Sequence, residues 1–242
     1  FKMSYFKRVG DAPIVNACLE SRFAVEFVVL GLLIAGQQLP FSLVLGAIAA
    51  ATAPAATIMV IKQYRAKGPV TETLLSVVAI DDATALILFS LAVAVAQGLT
   101  DAGASFGASL LSPLREIGGA LVVGAALGFI FLLPLRFFKK AGNRLSLIVA
   151  FVFAGIGIAS LFNLSSLLLC MAMGAIVANF SPDVTQIMDI CDGVTPPIFL
   201  LFFVASGADL KLYVLPTVGL IGVIYIVLRV AGKAFGASLG GI

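Results

Sequence analysis

Long apolar runs, each close to the length needed to cross a lipid bilayer, follow one another along almost the whole 242-residue sequence. A hydrocarbon core of about 30 Å requires about 20 apolar residues in a helix. Eight runs fit this requirement, at residues 13–36, 40–61, 70–96, 113–138, 145–162, 164–180, 194–208 and 213–239. Because backbone groups in lipid must form hydrogen bonds within their own segment, these runs have to be helices. The sequence therefore predicts an all-α, polytopic membrane protein.

The polar residues are too few for a soluble domain of this length. Only 11% of the residues are charged, and the mean hydropathy is +1.16. The net charge of +3 comes from basic residues in short loops, so nucleic acid is an unsuitable partner. Three cysteines lie in or beside apolar stretches without the spacing of metal ligands, and we interpret them as small buried hydrophobic residues.

Basic residues accumulate in alternate loops. They lie before the first run, between the second and third, and between the fourth and fifth: Lys2, Lys7, Arg8, Lys62, Arg65, Lys67, Arg136, Lys139, Lys140 and Arg144. The positive-inside rule therefore predicts that these loops are cytoplasmic. Residues 181–193 belong to the same side, and their spacing fits either a short amphipathic helix on the membrane surface or a plain polar loop.

Two adjacent acids, Asp81 and Asp82, lie near the middle of the third run. A charged side chain at the bilayer centre costs about 2.5–3.5 kcal/mol on insertion scales, so such residues usually have a function. Adjacent side chains on a helix point about 100° apart and address different neighbours. We expect one acid to bind a ligand and the other to hold a partner.

Two basic residues in the last run are candidate partners. Lys233 and Arg229 lie one helical turn apart, and Arg229 has Glu20 or Glu26 of the first run as possible acceptors. The alternative for Lys233 is a side chain that extends to the headgroups. The small residues around Lys233 favour tight packing and a functional countercharge.

The second run contains ATAPAAT at residues 51–57. Pro54 lacks a backbone donor and disfavours helix at Ala53, while Thr52 and Thr57 supply hydroxyl oxygens. One reading is a simple proline kink. The other is an unwound stretch whose carbonyls and helix ends face a cavity, as in ion-coupled transporters with discontinuous helices.

Together these motifs resemble one family. Residues 45–89, LGAIAAATAPAATIMVIKQYRAKGPVTETLLSVVAIDDATALILF, look like the core of the second monovalent cation:proton antiporter superfamily, in particular the bacterial sodium/proton exchangers. In that family a broken helix packs beside a helix with an Asp-Asp pair, and a later helix supplies a lysine. The resemblance assigns these parts to Thr52 and Pro54, to Asp81 and Asp82, and to Lys233.

The resemblance implies secondary active transport rather than enzymatic catalysis, with no cofactor beyond the transported ions. Asp82 would bind a sodium or lithium ion and a proton in alternation, and Asp81 would pair with Lys233. The Asp-Asp signature points in the family to electrogenic exchange. A homodimer in the cell membrane, the inner membrane of a bacterium, is also implied. A potassium/proton exchanger or potassium efflux system of the same superfamily is the alternative.

The family fold has inverted repeats of about twelve or thirteen helices. Against it, residues 1–242 resemble one transporter domain that lacks the first helices and the second discontinuous helix, so we expect the chain to be a fragment. Two other classes fit less well. An intramembrane aspartyl protease needs its two acids on separate helices, and a non-transporting scaffold leaves the acids at mid-membrane unexplained.

Overall fold

The computed structural model describes residues 12–52, 54–100 and 106–240. Over these ranges the chain forms α-helices joined by short connections. They are α1 (Ala12–Ile34), α2 (Leu39–Ala50), α3 (Pro54–Gln63), α4 (Pro69–Thr100), α5 (Phe106–Phe137), α6 (Ala141–Phe162), α7 (Ser166–Phe180), α8 (Val184–Ala208) and α9 (Leu215–Gly240). A 3-10 turn, Leu212–Val214, precedes α9. The all-α prediction is confirmed.

Among the residues that the structure describes, five helical segments are long and apolar enough to span a membrane. They are α4, Pro113–Phe137 of α5, α6, α8 and Val218–Gly240 of α9. Two shorter apolar helices, α2 and α7, accompany them. Helix α1 has 23 residues but carries Glu20, Arg22 and Glu26. The architecture is therefore that of a multi-pass membrane protein, as the apolar runs predict.

The second predicted span is two helices. Helix α2 ends at Ala50 and α3 begins at Pro54, so Ala51 and Thr52 lie in a non-helical break, and Ala53 falls outside the described residues. Proline is well placed at a helix start because the first turn needs no backbone donor there. The break is narrower than the predicted 51–57, since residues 54–57 are helical.

The segment before the seventh predicted span is neither the short surface helix nor the polar loop that its sequence suggests. Helix α8 begins at Val184, ten residues before the predicted start, and runs without interruption through Pro196 and Pro197. The first turns of α8 are held by Ile187, which is buried against Phe131, Leu135 and Val177. Residues 184–193 are therefore neither a loop nor a separate surface helix.

The chain divides into two compact units. Unit 1 comprises residues 1–114 and 218–242, and unit 2 comprises residues 115–217. In unit 1, Val28 and Leu32 of α1 and Ala49 of α2 form a buried core against apolar residues of α9. In unit 2, α6 ends at Phe162 and is capped by Asn163, whose backbone is left-handed (φ 52°), and Ser165 caps α7. The prediction of a single transporter domain stays a prediction.

Unit 2 also contains a buried arginine that sequence reasoning placed in an exposed basic loop. The Arg144 side chain is 1% exposed. It donates to the carbonyl oxygen of Phe138 at 2.9 Å, to the amide oxygen of Gln186 and to the carboxylate of Asp183. The arginine thus ties the end of α5 to the start of α8.

Candidate functional site

The Asp81 carboxylate is the centre of a polar cluster in unit 1. Its side chain is 0% exposed, although α4 is otherwise strongly apolar. Ser21 of α1 donates a hydrogen bond to one carboxylate oxygen, and Thr52 in the helix break donates to the other. The Lys233 ammonium of α9 lies 3.2 Å from the second oxygen. Three segments of unit 1 therefore converge on one buried acid.

Lys233, like Asp81, has several partners in this cluster. Its Nζ lies 2.9 Å from the Glu20 carboxylate, 2.7 Å from the Thr52 hydroxyl and 3.2 Å from Asp81. The side chains of Lys233 and Glu20 are 17% and 15% exposed. An ammonium has three protons to donate, and these three acceptors match them. Lys233 is therefore held inside the cluster and does not extend to the surface.

Arg229 contacts the backbone of the helix break. It donates to the carbonyl oxygens of Ala49 at 3.2 Å and Ala51 at 2.6 Å. The last carbonyls of a helix lack partners within the helix and carry partial negative charge, which a guanidinium offsets. The predicted pairing of Arg229 with Glu20 or Glu26 is wrong. Lys233 contacts Glu20, and Arg22 contacts Glu26 at 2.7 Å.

Asp82 contrasts with its neighbour. It is partly buried, and within the described ranges its carboxylate has no hydrogen bond or ion pair. The 100° turn between adjacent helical residues explains why the same groups do not serve both acids. One acid of the pair is saturated with partners, while the other retains its full capacity to accept.

The remaining predicted site residues lie around the break. Thr57 is in the first turn of α3, and in the part of the chain that the structure describes its hydroxyl makes no hydrogen bond to either acid. Pro54 starts the same helix. The structure thus brings Thr52, Asp81 and Lys233 together, and leaves Thr57 outside their hydrogen-bonded cluster.

Close backbone packing sets the distance between α1 and α9. A Cβ atom at Gly236 would lie 2.6 Å from the Glu20 Cα, and one at Gly232 would lie 2.7 Å from the Phe23 carbonyl oxygen. Gly240 meets Asn16 in the same way. Small residues at every fourth position allow membrane helices to approach closely. This approach places Glu20 within reach of Lys233.

Glu20 and Ser21 are the site residues that sequence reasoning missed. The sequence indicates Glu20 only as a possible acceptor for Arg229, and no motif in it indicates a role for Ser21. A signal was present for Glu20, because it is a carboxylate inside the first apolar run, where a charge is costly. Sequence alone does not reveal which buried polar groups share a helix interface.

The charges of the cluster and of the neighbouring Asp82 and Arg229 do not cancel. Glu20, Asp81 and Asp82 supply three carboxylates, while Lys233 and Arg229 supply two cations, which leaves one negative charge when all are ionised. An uncompensated charge in a low-dielectric surrounding is costly. One proton or one monovalent cation restores neutrality. The arrangement can therefore hold either, with Asp82 as the carboxylate that has accepting capacity left.

Two comparisons with known proteins complete the description. The sequence matches the transmembrane sodium/hydrogen exchanger family over residues 1–241, nearly the full chain. The comparison with curated proteins gives no match.

Proposed function

Because the chain belongs to the sodium/hydrogen exchanger transmembrane family and so serves monovalent cation/proton exchange, we propose that it exchanges sodium, or lithium, for protons by alternating access. In this proposal Asp82 binds the cation and the proton in turn. Asp81 remains paired with Lys233. Potassium is the alternative cargo.

The observation that carries the proposal is the difference between the two adjacent acids. Asp81 receives two hydroxyls and an ammonium, whereas Asp82 has no partner among the described residues. A carboxylate without partners inside a membrane span favours whichever cation neutralises it. A proton and a hard monovalent cation use the same oxygens, so binding of one excludes the other. This competition couples the two fluxes.

The helix break supports the same role. A cation leaving water has to replace its hydration shell, and we propose that carbonyl oxygens of the break and the hydroxyl oxygens of Thr52 and Thr57 do so together with Asp82. Discontinuous helices supply such ligands in ion-coupled transporters because their end groups are free of helical bonds. Arg229 already occupies the carbonyls of Ala49 and Ala51. We therefore propose that Asp82 supplies the charge, and that Thr52 or Thr57 supplies neutral oxygens.

The membrane potential drives the exchange if unequal charge moves in the two directions. Two protons for one sodium ion would transfer one net charge, worth about 2.3 kcal/mol per 100 mV. We propose this electrogenic mode on the basis of the Asp-Asp signature. We also propose that the protein is a homodimer in the cell membrane, with the basic loops in the cytoplasm.

The proposal is tested with the intact protein in proteoliposomes that contain a pH-sensitive dye. Sodium, lithium and potassium are added separately, and we expect proton release with sodium and lithium. Asp82→Asn should lower the rate at least about 100-fold, because the amide carries no charge for the cation to neutralise. Asp209→Asn, at the exposed end of α8, is the matched control and should leave the rate unchanged.

The outcomes separate the parts of the proposal. If potassium alone causes proton release, potassium is the transported cation and the proposed exchange of sodium or lithium is wrong. Unchanged exchange in correctly inserted Asp82→Asn protein contradicts the role of Asp82.

A further inference from the structure

Lys233 contacts two carboxylates, and only one of them belongs to the Asp-Asp pair. The distance from Nζ to the Glu20 carboxylate is 2.9 Å, against 3.2 Å to Asp81. Glu20 and Asp81 lie on different helices, α1 and α4. The ammonium is therefore shared, and the contact with Glu20 is the shorter of the two.

The two carboxylates differ in their other partners. Asp81 also receives hydrogen bonds from Ser21 and Thr52. Glu20 has the Lys233 ammonium as its one hydrogen-bond or ion-pair partner among the described side chains. Loss of Lys233 would thus leave Asp81 with two hydroxyl donors. Loss of the contact with Glu20 would leave Lys233 with Asp81 as its one remaining carboxylate in the cluster.

We propose that Glu20 is a positioning residue that competes with Asp81 for the Lys233 ammonium and thereby lowers the cation concentration needed to occupy the site. This inference rests on the exchange function proposed above. An ammonium bound to Asp81 repels a cation arriving at the neighbouring Asp82, because like charges in a poorly screened interior interact strongly. Glu20 draws that ammonium toward α1, and the repulsion at Asp82 falls.

The geometry of α1 and α9 makes this competition a fixed property of the site. Gly236, three residues after Lys233, lets the backbone of α9 approach Glu20 so closely that an added Cβ would lie 2.6 Å from the Glu20 Cα. The carboxylate is therefore held beside the ammonium by packing. No rearrangement of α1 is required for Glu20 to act.

Glu26 provides a matched control on the same helix. It lies six residues from Glu20, is 42% exposed and pairs with Arg22 at 2.7 Å. It forms no hydrogen bond or ion pair with Lys233 in the described structure. Glu26→Gln removes the same charge from α1 without touching the cluster.

The test measures the half-saturating sodium concentration (KM) and the maximal rate of the intact protein in dye-loaded proteoliposomes. Glu20→Gln should raise KM about tenfold and change the maximal rate less than about twofold, because one ion pair in the site is redirected. Glu26→Gln should match the wild type. A KM for Glu20→Gln equal to that of the wild type overturns the inference while leaving the exchange function intact. A wild-type protein without cation-dependent proton movement overturns both.

A second measurement separates positioning from direct cation binding. Sodium-dependent thermal stabilisation of the purified protein reports binding even where transport is lost. In a Lys233→Ala background, the effect of Glu20→Gln on the half-saturating sodium concentration should shrink to about twofold or less, because the shared ammonium is gone. An undiminished effect identifies Glu20 as a cation ligand and overturns the positioning role.

If Glu20→Gln does not fold, Glu20→Asp provides a second test. It keeps the charge but shortens the side chain by one methylene, and KM should rise about threefold because the contact with the ammonium weakens. A wild-type KM for folded Glu20→Asp contradicts the inference.

Discussion

Each compact unit contains a buried charged cluster, and the two clusters are balanced in different ways. In unit 2, Arg144 is 1% exposed and contacts a carbonyl, an amide oxygen and the carboxylate of Asp183. In unit 1, Glu20 and Asp81 surround Lys233, while the adjacent Asp82 has no partner among the described residues. The first arrangement is complete without a ligand. When Arg229 is counted with Lys233, the second holds three carboxylates and two cations, so one carboxylate is not neutralised.

The difference indicates separate roles. A cluster whose charges and hydrogen bonds are all matched fixes the path of the chain, here between the end of α5 and the start of α8. A cluster with one unmatched charge can accept a proton or a cation, and this is the property that the proposed exchange requires. Substitutions should therefore separate into those that affect stability alone and those that also affect transport.

The largest stability effect is expected for Lys233→Ala. It leaves the Asp81 carboxylate, which is 0% exposed, with two hydroxyl donors and no cation, so the free energy of unfolding should fall by about 3 kcal/mol. Thermal unfolding in detergent measures the loss, and the proton-to-cation ratio in proteoliposomes measures the effect on transport. Adding Asp81→Asn should recover part of the stability. Wild-type values for both stability and the ratio would contradict the pairing of Asp81 with Lys233.

The second-largest loss of stability is expected in the Arg144 cluster of unit 2. Arg144→Ala should lower the free energy of unfolding by about 2 kcal/mol, because the Phe138 carbonyl loses its hydrogen-bond donor and the removed side chain leaves unfilled space. Exchange per folded molecule should remain unchanged. Arg144→Lys should restore little, since an ammonium cannot reproduce the planar set of donors. A loss of transport in stable Arg144→Ala protein would remove the distinction between the two clusters.

A smaller effect tests the packing that holds the unit 1 cluster together. Gly236→Ala introduces a methyl group against the backbone at Glu20 and should cost about 1–2 kcal/mol, with a raised KM for sodium. Gly222→Ala on the same helix meets no atom within 4 Å and is the control. Thermal unfolding and sodium titration of both proteins measure the difference. Equal stability of the two variants would show that the close approach of α1 and α9 is not required.

The smallest effect is expected outside both clusters. Arg22→Ala removes an exposed ion pair with Glu26, which lies one turn away on α1. Such pairs contribute about 0–1 kcal/mol, so we expect a change in stability below about 0.5 kcal/mol and none in transport. If Arg22→Ala lowers the free energy of unfolding as much as Arg144→Ala does, the contribution of these arginines to stability does not depend on their exposure.

Much of the fold follows from the sequence because membrane helices have a strong local signal. Apolar length predicts the helices, and Pro54 predicts the break. The start of α8 could not be predicted, because residues 184–193 become helical through the burial of Ile187 against α5 and α7, a contact between distant parts of the chain.

The site divides in the same way. The sequence identifies three of the site residues, Asp81, Asp82 and Lys233, because a charge in an apolar run is costly wherever it lies. The acceptors of Arg229 are backbone carbonyls, which every residue has, so no side-chain pattern distinguishes Ala49 and Ala51. Two of the three partners of Arg144, Asp183 and Gln186, lie 39 and 42 residues away along the chain. Such distant pairs are set by the fold and have no local signature.

The contacts of α9 are favoured by the order in which the chain is synthesised. Every described acceptor of Arg229 and Lys233 precedes them in the sequence, at Glu20, Ala49, Ala51, Thr52 and Asp81. During synthesis, the helices that carry these acceptors are made before α9. Placing two basic side chains in lipid would cost about 2.5–3.5 kcal/mol each. Helix α9 therefore gains most by entering the membrane directly against α1, α2 and α4, where its two cations meet acceptors that have already been made.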